Sequence, residues 1–289
     1  MKKFVLIILS LVMFTGVFAM DTNASVTKTQ ATWLWNPWII VKDELGTLEF
    51  LKKKNINKVY MQIDRDIPAT VYQSFIGKAT LSGIKIYALD GAPDWVAPKG
   101  YRSLDQLTTW LKNYQSGSTS SQRFTGIHLD VEPYLYSGWS TNQATTIKTY
   151  QSLLMKAKNS AGALSLPLEA DIPFWFDEIQ YKNTYGKGIL VEWVIMNTHG
   201  VSIMAYRDNA AMIIELSQRE VDLAGKYKKQ VVIGVETGET GEGDYLSFYE
   251  EGEAYMNQEL DIVDSYYSIH PGYSGIAVHH VDSWKTMRQ

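Results

Sequence analysis

The 289-residue chain contains no cysteine. Disulfides are therefore excluded, and so is a lipoprotein anchor, which needs a cysteine behind an N-terminal apolar run. No charge of one sign dominates: 27 Lys and Arg against 31 Asp and Glu give a net charge of −4. With both signs interspersed, there is no electrostatic footing for nucleic acid. The apolar run from Phe4 to Phe14 is too short for stable membrane insertion. No linker or low-complexity tract divides the chain, which reads as one domain and is expected to be a monomer.

Lys2 and Lys3 precede that apolar run, and Val17-Phe18-Ala19 and Thr22-Asn23-Ala24 follow it with small residues. The pattern reads as a secretory signal with a short leader over residues 1–24. The expected location is outside the cytoplasm, secreted or at the cell surface. Residues 25–289 are enough for an exported protein that relies on its core instead of disulfides. Aromatics are plentiful, with 9 Trp, 18 Tyr and 9 Phe, and such rings stack on the apolar faces of sugars.

Short apolar stretches alternate with amphipathic ones. Strands are expected at 31–35, 58–63, 84–89, 124–133, 164–170, 200–206, 230–236 and 273–280. Helices are expected near 44–53, 71–81, 103–114, 142–160, 188–196, 210–227 and 252–267. Eight strands in strict alternation with helices predict an α/β fold, a (β/α)8 TIM barrel. Active sites in that fold lie at the C-terminal strand ends. Those ends carry Trp35, Asp64, Asp90, Asp130, Glu132, Glu169, Asp171, Tyr206, Glu236, His280 and Trp284.

The fourth strand is the most informative. Alternation places Gly126, His128, Asp130 and Glu132 on one face and Ile127, Leu129 and Val131 on the other. Pro133 ends the pairing. Two neighbouring carboxylates beside an apolar wall raise the proton affinity of one of them, the condition for a general acid at neutral pH. His279 and His280 point to opposite faces of a strand and cannot easily chelate together, so no metal and no cofactor is expected.

Gly126-Ile127-His128-Leu129-Asp130-Val131-Glu132 resembles the end of the D-G-x-D-x-D-x-E strand of family-eighteen chitinases, with Thr125 and His128 replacing the first two acids. Met204-Ala205-Tyr206 resembles that family's M-x-Y-D, with Arg207 at the acid's place and Asp208 one later. The resemblance implies that Glu132 protonates the leaving oxygen. It implies that Asp130 orients the substrate's 2-acetamido group, whose oxygen attacks the anomeric carbon, and that Tyr206 donates a hydrogen bond to that group. This is the substrate-assisted variant of glycoside hydrolysis. The resemblance also implies that Trp284, at a loose spacing, stands for the family's Trp at the end of the eighth strand. Either His128 replaces the missing acid's work on Asp130, or the site is dead.

Two further enzyme families share features. Asp130-Val131-Glu132 is similar to the D-x-E strand of family-twenty-five lysozymes, although Trp33-Leu34-Trp35 stands where their first-strand acid belongs. Glu132-Pro133 with Glu236 resembles retaining glycosidases that use acids on strands four and seven. The leading expectation is a secreted hydrolase of a β-linked N-acetylated glycan, chitin-like or derived from peptidoglycan. Glu132, Asp130, Tyr206 and Glu236 are its catalytic candidates. Trp35, Asp64, Asp90, His128, Glu169, Asp171, Met204, Asp208, His280 and Trp284 are the candidates for contacting a poly- or oligosaccharide. The alternatives are a two-carboxylate retaining enzyme and a glycan-binding barrel without catalysis.

Overall fold

A computed structural model describes residues 28–289; the signal-peptide expectation falls on residues outside that range. The chain closes an eight-stranded parallel barrel. Its strands are β1 (Thr29–Leu34), β2 (Lys58–Gln62), β3 (Lys85–Asp90), β4 (Gly126–Leu129), β5 (Leu168–Pro173), β8 (Gly200–Met204), β9 (Gln230–Glu236) and β10 (Tyr273–His279). Around the barrel the order is β1-β10-β9-β8-β5-β4-β3-β2, and β1 pairs with β10 to close it. The expected TIM barrel is the observed fold.

Period-two alternation sorts the strand residues. Val59 and Met61, Ile86 and Ala88, Ile127 and Leu129 face the helices in one large core. Ala31, Trp33, Tyr60, Tyr87, Leu89, Val232 and Ala277 form a second core inside the barrel. Gly126 admits that inner layer: a Cβ there would lie 2.1 Å from the Tyr87 ring. Among the described residues no helix is long and apolar enough to cross a membrane.

Three local expectations are corrected. The fifth strand runs over Leu168–Pro173 and not 164–170, because the preceding helix extends to Ala163 and Ser165 turns with φ 56. The helix expected near 188–196 is observed as Leu190–Asn197, its start set by a hairpin that was not expected, β6 (Gln180–Asn183) with β7 (Gly186–Ile189). β4 stops at Leu129, so alternation does not itself place Glu132.

The helix Ala210–Tyr227 buries a charge. Glu220 is 1% exposed and neither carboxylate oxygen has a hydrogen-bond partner. Burial raises its pKa to about 8. An acid whose folded pKa lies above its unfolded value costs stability once pH passes the unfolded value near 4.3, and the cost grows until about pH 8. Glu220→Gln is expected to stabilise the fold by roughly 2–4 kcal/mol at pH 9 and hardly at all at pH 4. Calorimetric unfolding at the two pH values measures this; an equal gain at both would show that ionisation is not the cause.

Candidate active site

The barrel axis carries a column of charge. Lys58, at the start of β2, donates to both oxygens of Glu169 on β5, at 2.9 and 3.1 Å, with its ammonium 4.7 Å from the Tyr87 ring centre. His128 on β4 lies above them, fully buried, and stacks on Tyr60 with ring centres 3.8 Å apart. Its Nδ1 is 3.8 Å from Glu169 and its Nε2 is 2.8 Å from Asp171. These are charge contacts and not aligned hydrogen bonds. The other Asp171 oxygen accepts from the Trp33 indole at 3.0 Å. Burial alone would lower the His128 pKa, but Asp171 and then Glu169 outweigh it and raise it to about 9. Burial opposes the Glu169 anion too, yet His128 and Lys58 bring its pKa down to about 2.

Asp130 and Glu132 follow β4. Asp130 is set by its backbone, which donates to the Asp90 carbonyl across the β3 terminus. That approach requires Gly91, at φ 155, because a Cβ there would sit 2.0 Å from the Asp130 carbonyl oxygen. The Oδ1 of Asp130 is buried without a partner. Burial first, then Asp171 and Glu132, raise its pKa well above the carboxylate range, against the pull of His128. Glu132 adopts φ 46, ψ 59, a left-handed conformation that costs a non-glycine residue about 1–3 kcal/mol. The kink delivers its carboxylate to the cleft, where the Tyr134 hydroxyl donates to it.

The opposite wall comes from β8, β9 and β10. Burial, and next the Glu236 charge, push the Tyr206 hydroxyl well above its usual range, so it stays a proton donor. Glu236 is engaged on both oxygens. Oε1 accepts from the Thr237 and Gly238 amides, each at 2.7 Å, and Oε2 meets His279 Nδ1 at 2.7 Å. Burial opposes its charge, but His279 and these amides bring its pKa below the usual value. Trp35 donates to His279 Nε2 at 2.7 Å. An indole only donates, so His279 accepts at Nε2 and directs its Nδ1 proton to Glu236.

Glu132, Tyr134, Met204, Tyr206, Glu236 and His280 line a cleft of about 530 Å3, walled by Phe174, Trp175, Leu246 and the 238–242 loop. The other candidates lie elsewhere. Glu169, Asp171 and His128 lie beneath the cleft in the column and do not line it. Asp90 pairs with Arg65 at 3.1 Å, and Asp64 accepts from the Trp38 indole at 2.7 Å in a neighbouring depression that Trp35 also lines. Asp208 accepts from Asn209. Trp284 is corrected: it is 5% exposed, edge-on to Phe50 at 5.6 Å and 5.4 Å from the Lys54 ammonium, away from the cleft. Its helix (Val281–Thr286) turns it back onto the outer layer.

Alternation also failed at the end of β10. The His279 and His280 rings lie 4.9 Å apart; His280 lines the cleft and His279 holds Glu236 in its wall. Sequence reasoning passed over His279, although it pairs directly with Glu236 in the sheet register. It also passed over Tyr134, and it took Arg207 only as a departure from the M-x-Y-D pattern. Arg207 covers the cleft between the Phe174 and Tyr245 rings, 5.3 and 5.4 Å from their centres. Among the described residues no three His, Asp or Glu side chains converge as metal ligands do.

No protein-family model and no curated protein sequence matches the chain. Solved structures do match. The second catalytic domain of the Ostrinia furnacalis group II chitinase superposes with a TM-score of 0.57 at 12% identity, over 88% of this chain and 90% of that one. The spore cortex-lytic enzyme SleL of Bacillus megaterium gives 0.54 at 11% identity, over 87% and 70%. A GH18 chitinase of Cycas revoluta, a mutant solved with (GlcNAc)4, gives 0.54 at 11% identity, over 88% and 95%. The chain folds as the barrel of family-18 chitinases does.

Proposed function

We propose that the protein is an exported glycoside hydrolase that cleaves a β-linked N-acetylated glycan by substrate assistance. The observation that carries this is the convergence of Glu132 and Tyr206 on one cleft, with Asp130 buried beside Glu132 at the end of β4. Glu132 in its acid form gives its proton to the glycosidic oxygen as the bond to the anomeric carbon breaks. The substrate's acetamido oxygen bonds to that carbon and leaves a cyclic oxazolinium ion. Asp130 as the anion holds the acetamido nitrogen, and the Tyr206 hydroxyl donates to the acetamido oxygen. Water then attacks the anomeric carbon, Glu132 takes its proton, the ring reopens, and configuration is retained.

The Glu236 contacts favour this route over the two-carboxylate one. Three hydrogen bonds from Thr237, Gly238 and His279 tie both its oxygens to the wall, which suits an anchor for the His279–Trp35 pair better than a nucleophile. The named neighbours, chitinases and a spore cortex-lytic enzyme, support a chitin-like or cell-wall substrate. The signal-like N-terminus supports export.

Matched β-1,4 oligomers of N-acetylglucosamine and of glucose test the reading. The first are expected to be cut and the second left intact, as resolved by chromatography of reducing ends. Equal cleavage of both would remove the acetamido group from the mechanism. Cleavage of neither would overturn the hydrolase reading.

A further inference from the structure

The column below the cleft is balanced in charge up to Asp171 and then ends. Lys58 and His128 offset Glu169 and Asp171, and Asp130, which follows Leu129 as Asp171 follows its register partner Ala170, has a buried, unpartnered oxygen. In the motif this strand resembles, an acid stands at position 128; here a base does. His128 has no freedom to swing. Tyr60 covers its face, Trp33 meets it edge-on at 6.4 Å, and its ring nitrogens lie against two carboxylates on β5. Asp171 is in turn held from two sides, by His128 and by the Trp33 indole.

We propose that His128 is a positioning residue for Asp130, acting through Asp171: it pins the carboxylate of Asp171, the neighbour of Asp130 across β4 and β5, and cancels its charge. The inference rests on the reading of Asp130 and Glu132 above. The groups facing His128 are Trp33 from β1, Tyr60 from β2, and Glu169 and Asp171 from β5, with Lys58 of β2 and Tyr87 of β3 behind Glu169 and Tyr60. Ser202 from β8 lies behind Tyr60, its hydroxyl 3.1 Å from the Tyr60 hydroxyl, and Asp130 on the chain that follows β4 feels the His128 charge. Without the imidazolium, Asp171 becomes an uncompensated negative charge beside Asp130. Asp130 then resists giving up the proton that it must lose to hold the acetamido nitrogen.

Carbon-13 NMR of the labelled Asp130 carboxyl group, assigned by its loss in Asp130→Asn, reads this directly. In His128→Asn its titration is expected to move up by about one pH unit or more, because a neighbouring cation has gone. The acid limb of kcat moves the same way with KM little changed. Trp33→Phe, which removes a hydrogen bond to Asp171 but no charge, is expected to shift it far less. An unchanged Asp130 titration in folded His128→Asn overturns the proposal. Should that variant not fold, nitrogen-15 shifts of His128 in the wild type decide: a cationic ring at pH 7 is expected, and a neutral one overturns the proposal. If the wild type cleaves no glycan, the hydrolase reading fails, while these titrations still judge the column.

Discussion

Glu132→Gln is expected to lower kcat/KM on unactivated N-acetylglucosamine oligomers by about 10²–10⁴ or more, with oligomer binding retained. The amide fills the same space and keeps a hydrogen bond to Tyr134, so the left-handed kink at residue 132 has no reason to relax. It has no proton to give. The loss should therefore depend on the leaving group. An aryl glycoside whose phenolate departs unaided should lose much less than an oligosaccharide. Steady-state kinetics on both substrates measures the contrast. An equal loss on both would mean that the substitution damages binding or folding and not proton transfer.

Asp130→Asn is expected to separate activity from stability. Activity should fall by about 10²–10³, because the oxazolinium ion and its acetamido nitrogen lose the negative charge that Asp130 supplies once it has given up its proton. Unlike the Glu132 variant, this loss should be similar for aryl and sugar leaving groups, since the charge develops in the same place for both. Stability should rise at neutral pH. Asp130 is buried, has an unpartnered oxygen and lies near two other acids, all of which disfavour its anion in the folded chain. A group whose folded pKa exceeds its unfolded one destabilises above the unfolded value, so the gain is expected above about pH 4 and absent below it. Parallel kinetics and thermal unfolding check both halves. A variant that is both inactive and less stable would identify Asp130 as a structural residue.

Much of this was written locally in the chain. The alternation of short apolar strands with amphipathic helices was enough for the barrel, since each element buries one face and its period is visible over a few residues. Gly126 and His128 share a face for the same reason, and the acid-and-base pattern from His128 to Glu132 marked the strand without any partner in view. Where the local rule stopped, the reading failed. Glu132 reaches the cleft through a left-handed turn and not through strand alternation. His279 and His280 both serve the site although alternation parts them. Trp284 follows β10 at a plausible spacing, but its helix packs it against Phe50.

The sequence by itself determined the fold class and the strand that carries the acids, because strand and helix periods are set by neighbours a few residues apart. Only the tertiary structure decided which acids are free and which are spent. The contacts that consume them join residues far apart in the chain: Lys58 to Glu169, Trp33 to Asp171, His279 to Glu236. No local pattern records such pairings. Closing the barrel brings those strands around one axis, where burial and opposite charge then set the protonation of each group.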